Sequence, residues 1–245
     1  MSIEELTQFE IIEGTLSLTY ALLGIIIGFI VIFKYFNSKR KELLGVAFAI
    51  ILSVAPWMAG GISFLTFIFF GFVIQLELYL FIAYGIILFA NLCMIYAIIS
   101  LLYPEYLKKT VFIYLIIAIA FDILLLYLLF TNVSLVGERS GKFDVEGASI
   151  TSIVVLFVLA TALAVRILFI KEFSKSESRI LQWRGRFILV EASLMIIGGI
   201  MDGILQLTIA TLIFVRILLV LRLLFLYLGW LLPNRVAKWL IKEAE

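Results

Sequence analysis

The chain has no histidine and a single cysteine, Cys93, among its 245 residues. The first absence removes histidine-held haem, histidine-based zinc sites and any imidazole general base. The second removes an internal disulfide and leaves the redox compartment unread. Charge is also scarce: only 15% of residues are Asp, Glu, Lys or Arg, against 64% hydrophobic. A soluble domain is about one quarter charged and about half apolar. Too little polar surface remains to cover such a core in water, so the composition describes a membrane protein. No stretch has the ordinary composition of a separate soluble domain. No phosphate loop, Ser–His–Asp set or metal-ligand cluster is present, so no cofactor, no metal and no enzymatic activity are expected, and no nucleic-acid partner.

What the chain does have is apolar length. Crossing a bilayer as a helix takes ~20 apolar residues. Seven runs reach it, over about 14–33, 43–66, 77–102, 110–131, 148–170, 187–206 and 208–231. The expectation is one all-α domain over 1–245, a seven-transmembrane helix bundle. Pro56 lies inside the second run and is expected to kink it. An apolar turn near Phe67–Val73 is expected to separate the second run from the third. The acidic start of the chain (Glu4, Glu5, Glu10, Glu13) does not suit a cleaved signal peptide, so the first run reads as a retained span.

Basic residues then set the orientation. The odd-numbered connections and the C-terminal tail hold fourteen Lys and Arg, from Lys34 through Lys242. The opposite side holds two, Arg139 and Lys142 in the fourth connection. An N-terminus outside and a cytoplasmic C-terminus follow, in a multi-pass protein of the cell membrane. Trp183, Trp230, Trp239, Tyr103, Tyr106 and Tyr227 fall at the inner edge, where interfacial aromatics belong. Residues 235–243 alternate Val236, Trp239 and Leu240 with Arg235, Lys238 and Lys242, and read as a short helix lying on the inner surface. Spans 1–3 and 5–7 run in the same directions and share an ordering of motifs, a parallel 3+1+3 pattern that some transporters use.

Ionisable residues inside spans are expensive, and are the first place to look for function. Six qualify as candidates for a ligand site or an intramembrane polar network: Asp122, Arg166, Glu191, Asp202, Arg216 and Arg222. Glu191 and Asp202 are eleven residues apart, which at about 100° per residue returns to one face of the helix, with Gly198 between them. The last span, joined by a very short turn, offers arginines at matching depths. Asp202 is therefore expected near Arg216, and Glu191 near Arg222 or Arg166. The alternative is that these pairs only neutralise buried charge. A retinal protein is excluded, since no lysine occurs between Lys175 and Lys238. The aspartates Asp122 and Asp202 fit an intramembrane aspartyl protease poorly, because the second lies in GGIMD and no Pro-Ala-Leu follows. Asn132-Val133-Ser134 matches a glycosylation sequon on the outer side.

The last span leaves the membrane through Tyr227, Leu228 and Gly229, then Pro233, Arg235, Trp239 and Leu240. This exit resembles the closing hairpin of seven-span sensor regions found in microbial histidine kinases and diguanylate cyclases. The resemblance implies a receptor-like protein that senses an apolar or weakly polar ligand, or a property of the lipid bilayer. The chain ends at Glu245 without an output module, so a cytoplasmic or membrane protein partner is expected to carry the signal. A small-solute transporter and a structural subunit of a membrane complex are the alternatives.

Overall fold

The structure, a computed structural model, describes residues 5–204 and 208–242, without the side chains of 203, 204, 241 and 242. In hydrocarbon a chain must satisfy its backbone internally, and long runs of Leu, Ile, Val and Phe do so as helices. The elements are α1 (Gln8–Ser38), α2 (Glu42–Ser53), α3 (Ala55–Phe70), α4 (Leu76–Leu80), α5 (Ile87–Leu102), α6 (Leu107–Thr131), α7 (Ser149–Ser174), α8 (Arg179–Ile204), α9 (Ile209–Leu231) and α10 (Asn234–Lys242). A π-helical turn at Phe81–Gly85 joins α4 to α5, so the two run as one segment from Leu76 to Leu102. The fold is all-α. Among the described residues, five helices are long and apolar enough to cross a membrane, or six when α2 and α3 are counted as one bent span. The remaining long helix, α8, carries five charged side chains and lies outside that count.

The ends follow from local chemistry. Thr7 caps α1: its side chain accepts from the amide of Glu10 at 3.2 Å, and the Glu10 carboxylate accepts from the amide of Thr7 at 2.8 Å. The helix therefore starts several residues before the apolar run. Thr208 and Thr211 cap α9 in the same reciprocal way. Pro56 stands in the first turn of α3, where its missing amide costs nothing, and the chain bends by 47° between α2 and α3. After α9, Leu232 takes a left-handed backbone (φ 35°) before Pro233, and α10 starts at Asn234. Glu4, the turn between 204 and 208, and residue 243 of the interfacial helix lie outside the described residues.

The principal neighbours are α8 with α9, α2 with α5, α1 with α2, α3 and α9, and α7 with α8 and α5. Tyr20, Ile50, Leu88, Ile188 and Leu219 sit at the centre of this packing. The outward faces are apolar too: Phe33, Phe112, Ile123, Phe130 and Leu156 are exposed. A bundle that is apolar inside and out suits a hydrocarbon solvent.

The fourth connection is more than a link. Gly137–Arg139 and Val145–Gly147 pair as an antiparallel hairpin, β1 and β2, in the register Gly137↔Gly147, Glu138↔Glu146 and Arg139↔Val145. Its tip folds onto the bundle. Phe143 is buried edge-on against Phe64 and Phe67, with ring centroids 5.2 and 5.8 Å away. The Tyr79 hydroxyl donates to the Phe143 carbonyl at 2.9 Å. Arg139 donates to the carbonyl of Ile74, and the Lys142 ammonium to that of Glu5 at 2.9 Å. This contact needs Gly60: a Cβ there would lie 2.8 Å from the Phe143 carbonyl oxygen and 3.1 Å from the Tyr79 hydroxyl. The hairpin thus closes the end of the bundle at which α1 begins.

Candidate functional site

Glu191 and Asp202 of α8 and Arg216 and Arg222 of α9 are built into one seam. Gly198 lets the two helices approach closely; a Cβ on it would stand 3.1 Å from Leu219. Two acidic positions on α8 then face arginines, in two clusters of different character.

The deeper cluster is a triad. Glu191, with no exposed surface, accepts two hydrogen bonds from Arg166 of α7, at 2.6 and 3.1 Å. It accepts a third from Arg222 of α9, at 3.1 Å. Arg166 also donates to the carbonyl of Ala162 at 3.1 Å, and Arg222 to the Tyr20 hydroxyl of α1 at 3.3 Å. A carboxylate held by a bidentate guanidinium and a second cation is about as well compensated as a buried charge can be.

The second cluster lies nearer the hairpin. Asp202 accepts from Arg216 of α9 at 2.5 Å and from the indole N–H of Trp57 at 2.9 Å. The Arg216 guanidinium also lies 5.9 Å from the Trp57 ring centroid. Compensation is incomplete here. Arg216 Nε is buried without a partner among the described residues, and Glu13 of α1, itself buried, faces the same cluster. Glu13, Asp144 of the hairpin and Asp202 all act electrostatically on one another, with Arg216 the opposing charge. Burial, aided by the negative charge of Asp202, raises the Asp144 carboxyl above its ordinary value; Ser140, the Val145 amide and Arg216 oppose this. The two clusters are linked through aromatic rings: Tyr20 packs edge-on against Trp57, with centroids 4.8 Å apart.

Five of the six candidate residues, Arg166, Glu191, Asp202, Arg216 and Arg222, therefore fall in one seam, and both expected pairings form; Glu191 meets Arg166 and Arg222 together. Asp122 does not join them. It lies half-buried on α6, which packs mainly on α5 and the adjoining π turn, and one of its carboxylate oxygens is buried without a partner. The sequence reading missed Tyr20, Trp57, Glu13 and Asp144. Trp57 carried a signal: it sits mid-span, away from the interfaces where Trp ordinarily lies. A separate polar contact joins α5, α6 and α7, where the Asn91 side-chain amide donates to the Tyr114 hydroxyl at 2.7 Å and to the Thr161 hydroxyl at 2.8 Å. Among the described residues no group of three His, Cys, Asp or Glu is placed to hold a metal ion.

No protein-family model and no curated protein matches this chain. What it does must be argued from the seam itself.

Proposed function

We propose that this chain is a seven-span, non-enzymatic, sensor-like protein of the cell membrane that signals through a partner. α8 is counted as a span, the N-terminus is outside and the C-terminus cytoplasmic, in keeping with the fourteen-to-two distribution of basic residues. The observation that supports signalling most is the path of α9. That one helix holds Arg216 in the under-compensated cluster, Arg222 in the triad, and the left-handed elbow at Leu232 that leads into α10. A ligand or bilayer change that alters the Asp202–Arg216 contact acts on a helix whose far end carries a basic, amphipathic segment. The partner is a cytoplasmic or membrane protein that meets α10. Microbial sensor regions, which the exit of α9 resembles, place their output module at this point.

A small-solute transporter with parallel repeats is the second reading. The triad weighs against a route along the seam, because Glu191 is wholly buried and bonded to two arginines in the middle of it. The distance between spin labels at positions 39 and 238 tests the signalling reading. Severing the outer pair with Asp202→Leu and Arg216→Leu is expected to change that distance distribution in the full-length protein in nanodiscs. An unchanged distribution in a folded double variant overturns the idea that α9 transmits a shift.

A further inference from the structure

At the end of the bundle opposite the hairpin, α1, the last turn of α9 and the start of α10 enclose an open groove of about 500 Å³. Its two walls change character together. On α1 they run from Ile30 and Phe33 to Lys34 and Asn37; along the other wall they run from Tyr227 and Leu231 to Asn234 and Arg235. One end of the groove is therefore apolar on both sides and the other end is basic and amide-lined on both sides. Phe33 is 65% exposed and Ile30 43%, so the apolar end opens toward the surrounding hydrocarbon. Among the described residues neither Lys34 nor Arg235 has an ion-pair partner.

We propose that this groove is a binding site for one anionic phospholipid. The phosphate sits between Lys34 and Arg235, the Asn37 and Asn234 amides hydrogen-bond the headgroup, and an acyl chain lies along Ile30, Phe33, Tyr227 and Leu231. The polarity gradient selects this occupant over others with the same charge. A free phosphate has no use for the apolar half, and an acidic peptide would leave backbone groups unsatisfied there. The position also suits a lipid, because Lys34 closes the apolar run of α1 and Pro233 follows that of α9. A lipid held in this groove contacts both the end of α9 and the start of α10, and so sets the angle of the elbow. The proposal rests on α1 and α9 crossing the bilayer, not on the sensor reading and not on which side faces the cytoplasm.

Native mass spectrometry of the full-length, detergent-purified protein tests it, with phosphatidylglycerol, phosphatidylcholine and soluble glycerophosphate as probes. One phosphatidylglycerol is expected to remain bound in preference to phosphatidylcholine. A basic side chain at a membrane surface is worth roughly fivefold in affinity, so the paired change Lys34→Gln and Arg235→Gln should cost roughly 25-fold. The paired change Lys108→Gln and Lys109→Gln, at a different connection, should leave the preference intact. Ile30→Gln, which touches only the acyl chain, should weaken both lipids and leave glycerophosphate unchanged. Equal retention of phosphatidylcholine, an undiminished preference in the folded Lys34/Arg235 variant, or glycerophosphate binding as tightly as the lipid would each overturn the site.

Discussion

Glu191 and Asp202 lie on the same face of the same helix, eleven residues apart, and are compensated in opposite ways. Glu191 has no exposed surface and accepts three hydrogen bonds from two arginines. Asp202 keeps 20% of its side chain exposed and has one arginine and one indole. Around Glu191 two arginines face one acid; around Asp202 two further acids, Glu13 and Asp144, share the single arginine Arg216. The first arrangement leaves nothing for a ligand to complete. The second keeps an unpartnered guanidinium nitrogen and gathers two further acids, Glu13 and Asp144, beneath a hairpin. A buried ion pair is weak evidence for function when it is saturated, because burying the partner of a necessary charge is sufficient reason for it. It is an incompletely satisfied cluster in a packed interior that asks for an explanation. By that criterion the triad is a structural lock across α1, α7, α8 and α9, and the Asp202 cluster is the place the proposed function assigns to sensing.

The contrast is broken most severely by Glu191→Leu. That change leaves two buried guanidinium groups facing each other, and losing one partner of a buried pair costs ~3–5 kcal/mol. The variant is expected to lose its folded, monodisperse state in mild detergent, read by thermal unfolding and size exclusion. Adding Arg166→Leu and Arg222→Leu should restore most of the loss. If Glu191→Leu alone is tolerated, the triad is no lock.

Arg216→Leu should do the same to Asp202, but less. The partial exposure of Asp202 lets water or a bound cation take over, so the loss should be about half as large, ~2 kcal/mol. The double change Asp202→Leu and Arg216→Leu should be milder than Arg216→Leu. A loss equal to that of Glu191→Leu would show that the two clusters are equally closed, and the contrast would fail.

Trp57→Phe separates the indole's hydrogen bond from its packing. Phe keeps an edge against Tyr20 but cannot donate to Asp202. A hydrogen bond to a charged group contributes ~1.5 kcal/mol, and a loss of about that size is expected. If Trp57→Phe costs nothing, Arg216 alone holds Asp202, and Trp57 does not couple the clusters.

Much of this arrangement is legible in the sequence because its causes are local or periodic. Apolar length marked the helices, Pro56 the bend, and Pro233 the end of α9. Eleven-residue spacing put Glu191 and Asp202 on one face, and the short separation in sequence between α8 and α9 pointed to α9 as their neighbour. What was not legible depends on distant contacts. Tyr20 looks like one more aromatic in an apolar run until α1 is placed beside α9, and the mid-span position of Trp57 marks it without naming Asp202 as its partner. Glu13 reads as an acid of the N-terminal tail because the apolar run starts after it, whereas the Thr7 cap starts the helix before it. The hairpin strands are three residues each and too short for a period-two pattern to show. Only Phe143, an apolar residue among polar neighbours, hints that the connection folds back.

The smallest expected effect concerns that hairpin and the acids beneath it. Asp144 lies outside the spans, and burial raises its carboxyl above the ordinary value of 3.8, with repulsion from Asp202 adding to the shift. A raised carboxyl means that the docked hairpin binds a proton more readily than the released one. Docking is therefore firmest at or below the ordinary carboxylate range, and weakens as pH climbs above it. Hydrogen exchange of the amides in 137–147, corrected for the intrinsic pH dependence of exchange, should show protection falling as pH rises through and beyond that range. Asp144→Asn keeps the size of the side chain and removes the titration. It should flatten the profile while leaving the exchange of α8 and α9 unchanged. Thr151, which ties the base of the hairpin by donating to the Val136 carbonyl at 2.9 Å, gives the control. Thr151→Val should lower protection at every pH without changing its slope. If the Asn variant keeps the slope of the parent, the Asp144 carboxyl does not set the docking of the hairpin. The outer cluster would then be as inert as the triad.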